Sequence, residues 1–139
     1  MRYILLFLAL AGVTVSALAL HVHYCTDPQH CSINDTWDCG IVNHSPFAEL
    51  AGVPVAAIGI AGYLVIGGLA FWRQRALVFL CALAGMGFAL RLTFIEEFAL
   101  GVWCLYCVIS QVVIALITLL SLGWLAKEYL ELKHRAQAE

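Results

Sequence analysis

The sequence predicts an all-α membrane protein: a four-transmembrane-helix bundle with a short interfacial helix and a cysteine-bearing outward loop. Three observations predict it. Hydrophobic residues fill 63% of the 139 positions and charged residues only 12%, about half the charged share of an ordinary soluble domain. Apolar runs of about 20 residues, the length that crosses hydrocarbon as a helix, occur four times. The basic residues fall almost entirely on one side of those four runs. A core this small cannot hide so much apolar surface, so a bilayer must. The net charge of -2, with no basic stripe, argues against a nucleic-acid partner.

The four spans are placed at about residues 3–22, 51–72, 76–95 and 100–126 of a single domain. Each must be helical, because a backbone amide left unpaired in hydrocarbon costs several kcal/mol. Four spans put both termini and the loop between the second and third on one side. That side carries Arg2, Arg73, Arg75, Lys127, Lys133 and Arg135, leaving only Arg91 elsewhere. The other side carries Asp27, Asp35, Asp38, Glu49, Glu96 and Glu97. The expected orientation therefore has cytoplasmic termini, an outward loop over about 24–50 and a cytoplasmic tail over 127–139. The first run also has features of a secretory signal. It is read as a retained span, since cleavage would separate the termini and spoil the charge bias.

Five of the six cysteines lie on or near the outward side. In a bacterium that side is the oxidising compartment. Cys104 and Cys107 form a C-x-x-C at the start of the fourth span. Spacing i, i+3 sets both sulfurs on one helix face, and the positive end of the helix dipole there favours thiolate, the reactive form. Such a motif can also be half of a metal site. Cys31 and Cys39 bracket a polar stretch that can close as a disulfide. By itself that is a structural staple. Beside a second pair on the same face it becomes one half of a thiol–disulfide relay. Cys25 adds a third loop cysteine, so three pairings are open.

After Cys39, Ser45 and Pro46 read as the cap and first residue of a helix. Gly52 reads as its end, and Pro54 as the start of the second span. This short helix is expected to lie over the bundle as an interfacial lid. The Ser45 hydroxyl is either a helix cap alone or also a group that binds a substrate carbonyl.

The arrangement resembles the vitamin K epoxide reductase family. Its members have a loop cysteine pair, a serine or threonine six residues after the second loop cysteine, and a C-x-x-C on the last of four helices. Cys31, Cys39, Ser45, Cys104 and Cys107 match in register, and Gly52-Val53-Pro54-Val55 leading to Gly59 and Tyr63 is similar to bacterial members. The resemblance implies roles residue by residue. Cys107 would face and react with a quinone, Cys104 would exchange with Cys39, and Cys31 would exchange with a thioredoxin-fold partner. Ser45 would line the quinone pocket. Bacterial members run oxidatively, from substrate thiols through the partner and both cysteine pairs to quinone. No asparagine stands in the second span, and Gln111 replaces the tyrosine of the mammalian enzyme. Both departures point to a respiratory quinone, ubiquinone or menaquinone, rather than an epoxide. Some bacterial members carry a fused thioredoxin-like domain; this sequence ends in a charged tail, so a separate extracytoplasmic partner is expected. The implied location is the bacterial inner membrane.

Two rivals compete. Other four-helix quinone reductases also use two cysteine pairs, but with the C-x-x-C in the first outward loop, the reverse of the order here. A zinc or copper site could instead draw on His21, His23, Cys25, His30, Cys31 and Cys39, though their spacing matches no zinc-finger pattern. Of the remaining residues, Arg91 is expected to snorkel or to pair with Glu96 or Glu97. Cys81 reads as a buried apolar residue, and His44 either as a surface residue or as a proton shuttle to reduced quinone.

Overall fold

A computed structural model describes residues 1–25 and 33–138 of the chain. Four apolar helices make the body: α1 (Arg2–Tyr24), α3 (Val55–Phe71), α4 (Arg75–Ile95) and α5 (Leu105–Ala138). A short helix, α2 (Cys39–His44), sits between α1 and α3. Helices α1, α4 with the turn that follows it, and α5 are long and apolar enough to cross a membrane; α3, with 17 residues, is apolar but shorter. The protein is thus mostly helical, with three to four helices able to span a bilayer.

Helix α1 packs along α3 and α5, and α4 packs along α5. The larger buried cluster among the described residues includes Leu5, Tyr63, Ile66, Val78, Ile114, Ile117 and Trp124. Small residues let the helices approach. A Cβ on Gly12 of α1 would stand 2.5 Å from the Tyr63 ring of α3, so the ring lies directly on the α1 backbone. Phe7, Leu10, Leu64, Leu80 and Leu119 point outward. Outward-facing large apolar residues of this number suit a helix bundle whose surroundings are themselves apolar.

The turn between α3 and α4 is tight. Arg73 takes a left-handed conformation, φ 60°, and its amide and that of Gln74 return to the Ala70 and Leu69 carbonyls. These bonds satisfy the last open carbonyls of α3. The turn keeps Arg73 and Arg75 together, where Arg75 pairs with Glu128 at 3.3 Å and lies over the Trp124 ring.

Several local expectations change. Ser45 makes no side-chain cap to the turn that follows it; its hydroxyl donates back to the Val42 carbonyl at 2.7 Å and closes α2. Pro46 opens only a three-residue 3-10 turn, Pro46–Ala48. Gly52 does not end a helix. With Ala51 it turns a hairpin between β1 (Glu49–Leu50) and β2 (Val53–Pro54). Both turn residues have positive φ, 54° and 81°, the turn that matches strand twist in a two-residue hairpin. The second apolar run accordingly becomes helical only at Val55. The fourth becomes helical only at Leu105, and α5 then runs on through the charged tail to Ala138.

Candidate redox site

The site forms where three irregular segments meet at one end of the bundle. The first is the entry to α2. Asn34 accepts from the Thr36 and Trp37 amides through its side chain, each at 3.0 Å, and tightens that approach. Asp38 then caps α2, its carboxylate accepting from the Gly40 and Ile41 amides at 2.8 and 3.2 Å. This cap lets six residues hold a helical turn and a half, and it presents Cys39 at the first helical position.

The second segment precedes α5. Trp103 donates to the Thr36 carbonyl at 2.8 Å and accepts from the Asp38 amide at 3.0 Å. This parallel bridge of Trp37 with Trp103 ties the two segments together. Cys39 and Cys104 follow the bridge on either side, and both are 0% exposed within one apolar cluster that includes Val22 and Val42. Asn43 spans the gap: its amide donates to the Cys39 carbonyl at 2.8 Å and reaches the Cys104 sulfur at 3.6 Å. Cys39 is disulfide-bonded, whereas Cys25, Cys81, Cys104 and Cys107 are free thiols. Cys31 lies outside the described residues, as does His30.

Cys104 is not inside the helix as its spacing predicted. It sits one residue before α5 and gives its carbonyl to the Val108 amide at 3.1 Å, the position of a helix cap. Its thiol hydrogen-bonds that of Cys107. That bond holds Cys104 below the ordinary thiol range, against the opposing effects of burial and the Glu96 carboxylate.

The third segment is a single π turn, Glu96–Leu100, closed by Gly101 in the left-handed region at φ 64°. Such turns interrupt α-helices mostly at functional positions. Here the turn folds Glu96 inward, to 3% exposure. Its carboxylate accepts from the Cys104 amide at 3.2 Å; the Cys107 thiol stands beside both the carboxylate and the Cys104 sulfur and can give its single proton to either. Arg91, expected either to snorkel or to pair with Glu96 or Glu97, is exposed and makes no ion pair among the described residues.

Below these segments lies a cavity of about 530 Å³. Its walls are mostly apolar residues of α1, α3, α4 and α5, with Asn43, Ser45, Glu96 and Cys107 among the polar groups. Cys104 does not line it, whereas Cys107, packed against the same cluster as Cys104, does. Ser45 lines the cavity, but its hydroxyl hydrogen is already given to Val42. Cys81 lines it as well rather than being closed in the core. His44 is exposed, outside the cavity wall, with Nδ1 against the Gly40 carbonyl and its ring stacked on His23. His23 in turn holds the Asn43 carbonyl and faces Glu49 at 3.4 Å. His21 meets the Cys25 sulfur at 3.4 Å. Among the described residues, no three His, Cys, Asp or Glu side chains converge to hold a metal ion.

Asp38, Asn43 and Glu96 were not singled out as site residues from sequence. The capping aspartate one residue before Cys39 carried a readable signal. Glu96 carried one too, as an acidic residue at the end of an apolar run. Asn43 carried none.

An apolar helix bundle with a buried C-x-x-C beside a disulfide-bonded cysteine defines a membrane thiol–disulfide oxidoreductase. The model of the vitamin K epoxide reductase family matches residues 3–122. The chain belongs to that family.

Proposed function

We propose that the protein oxidises a thioredoxin-fold partner outside the cytoplasm and passes the electrons through two cysteine pairs to a membrane quinone. In this reading α1, α3, α4 and α5 all span the inner membrane, with both termini cytoplasmic. Cys31 and Cys39 form the shuttle disulfide. The partner's thiolate attacks Cys31, and Cys39 is released to exchange with Cys104. The Cys104–Cys107 dithiol then closes to a disulfide as quinone is reduced.

The observation that carries this reading is the split environment of the C-x-x-C. Cys104 shares a closed cluster with Cys39, while Cys107 stands on the wall of the cavity. A relay needs this asymmetry, because one sulfur must meet a protein thiol and the other a lipid-soluble acceptor. The cavity suits a quinone head group: its volume is in the range of small-molecule sites, and its mostly apolar wall carries a few polar groups, Asn43, Ser45 and Glu96 among them. A quinone bound there takes up two electrons and two protons. Asn43 orients the exchanging sulfurs, and the apolar wall excludes water from the reacting pair.

The test is quinone reduction by purified protein in detergent, with a reduced thioredoxin-fold protein and short-chain ubiquinone or menaquinone. Wild type is compared with Cys31→Ala, Cys39→Ala, Cys104→Ala and Cys107→Ala. The reading requires that loss of either C-x-x-C cysteine abolish turnover. It also requires that dithiothreitol restore turnover to the Cys31 and Cys39 variants only. Wild-type rates in all four variants, or no turnover with either quinone, would overturn it.

A further inference from the structure

Glu96 is a buried carboxylate on an apolar wall, a costly placement unless it is compensated or used. Its compensation is partial and specific: the Cys104 amide at 3.2 Å and the Cys107 thiol. The π turn that inserts it also interrupts the end of α4. Glu97, its neighbour, points outward. Glu96 is thus the acidic side chain that touches the C-x-x-C and also lines the cavity.

We propose that Glu96 is the proton carrier between Cys107 and the quinone, a catalytic residue for the reaction inferred above, on which this proposal rests. The reduced pair starts as the Cys104 thiolate and the Cys107 thiol. The Cys107 S–H turns from the Cys104 sulfur to the Glu96 carboxylate, and as that bond breaks its proton passes there. The two sulfurs join, and the electron pair released reduces the quinone. Glu96 then gives its proton to a reduced quinone oxygen. The second oxygen takes a proton from water, replacing the one Cys104 lost on ionising. Two electrons and two protons reach the quinone, one S–S bond forms, and Glu96 returns to its starting state.

The assignment explains why the acid stands beside Cys107 rather than in the aqueous loop. A proton released against a mostly apolar wall needs a positioned acceptor. Positioned acid–base groups of this kind are worth about 10²–10⁴-fold in rate.

The experiment compares Glu96→Gln, Glu96→Asp and Glu97→Gln in the full-length protein. Glutamine keeps an oxygen for the Cys104 amide but cannot shuttle a proton. The expected result is a fall in kcat of about 10²-fold or more for Glu96→Gln, with KM for quinone changed less than about threefold. Glu96→Asp should recover most of that loss, and Glu97→Gln should match wild type. Without quinone, transfer of electrons from the partner to the Cys104–Cys107 pair, read by thiol counting, should be intact in Glu96→Gln. That result separates a proton-transfer role from misfolding. A wild-type kcat in Glu96→Gln would overturn the proposal while leaving the relay standing. So would equal losses of thiol transfer and kcat, which would make Glu96 structural only. Absence of quinone turnover in wild type would instead remove the relay itself.

Discussion

Trp37 and Trp103 lie side by side as a parallel bridge, with ring centroids 6.2 Å apart. They are 66 residues apart in the chain. The bridge is the join between the cysteine-bearing loop and the last helix, and it places Cys39 and Cys104 in one buried cluster.

One consequence concerns Asp38, which follows Trp37 and caps α2. Asp38→Ala should cost about 1 kcal/mol, the usual value of such a cap. It should also slow exchange between the two cysteine pairs. Asp38→Asn should retain most of both. Thermal unfolding in detergent and the rate of C-x-x-C reduction by the partner check this.

The Cys104 thiol sits low because the Cys107 thiol donates to it. A lowered pKa means that thiolate appears at a lower pH than in an ordinary cysteine. Removing the donor reverses this, so Cys107→Ala should move Cys104 ionisation to higher pH. Thiolate ultraviolet absorbance against pH, in a background of Cys25→Ala and Cys81→Ala, checks the direction. An unchanged or lower midpoint would contradict it.

Packing of α1 on α3 sets a third expectation. Gly12→Ala puts a methyl group 2.5 Å from the Tyr63 ring. The ring is held in place by its hydroxyl, which donates to the Ser110 carbonyl at 2.8 Å. Overpacking of this kind costs about 1–3 kcal/mol. The melting temperature in detergent should fall, whereas Gly68→Ala, with open space around its Cβ position, should be milder.

Cavity volume gives a fourth. Ala84 of α4 lines the cavity. Ala84→Phe should raise KM for quinone about tenfold, or ~1.4 kcal/mol, and leave partner-to-protein thiol transfer unchanged. Steady-state kinetics over a range of quinone concentrations, beside thiol counting, checks both.

The helices were legible in sequence because their signal is bulk hydropathy over about 20 residues, and the body of α1 and α4 follows those runs closely. Helix ends were not. Hydropathy continues through Ala51 and Leu100, but backbone geometry stops there: one is a hairpin turn and the other belongs to a π turn. Cys104 and Cys107 were legible as a pair from spacing. That Cys107 lines the cavity and Cys104 does not was not, because it depends on Cys104 lying one residue outside α5. Ser45 lines the cavity, but its hydroxyl closes the preceding helix rather than opening a new one, a long-range choice its own neighbours do not signal. Asn43 reaches a sulfur 61 positions away in the chain, and no local pattern encodes such a contact.

The zero exposure of Cys104 has a consequence for wiring. A dithiol open to water would be oxidised by any small soluble disulfide that drifted past, and its electrons would be lost. Here the inner sulfur presents no surface to water and the outer one borders a greasy chamber. In the proposed relay, solubility would then act as the filter: the acceptor would have to dissolve in lipid, and the donor would have to be delivered by the protein's own loop. The fold would insulate that electron path in the way a sheath insulates a conductor, leaving a contact at each end.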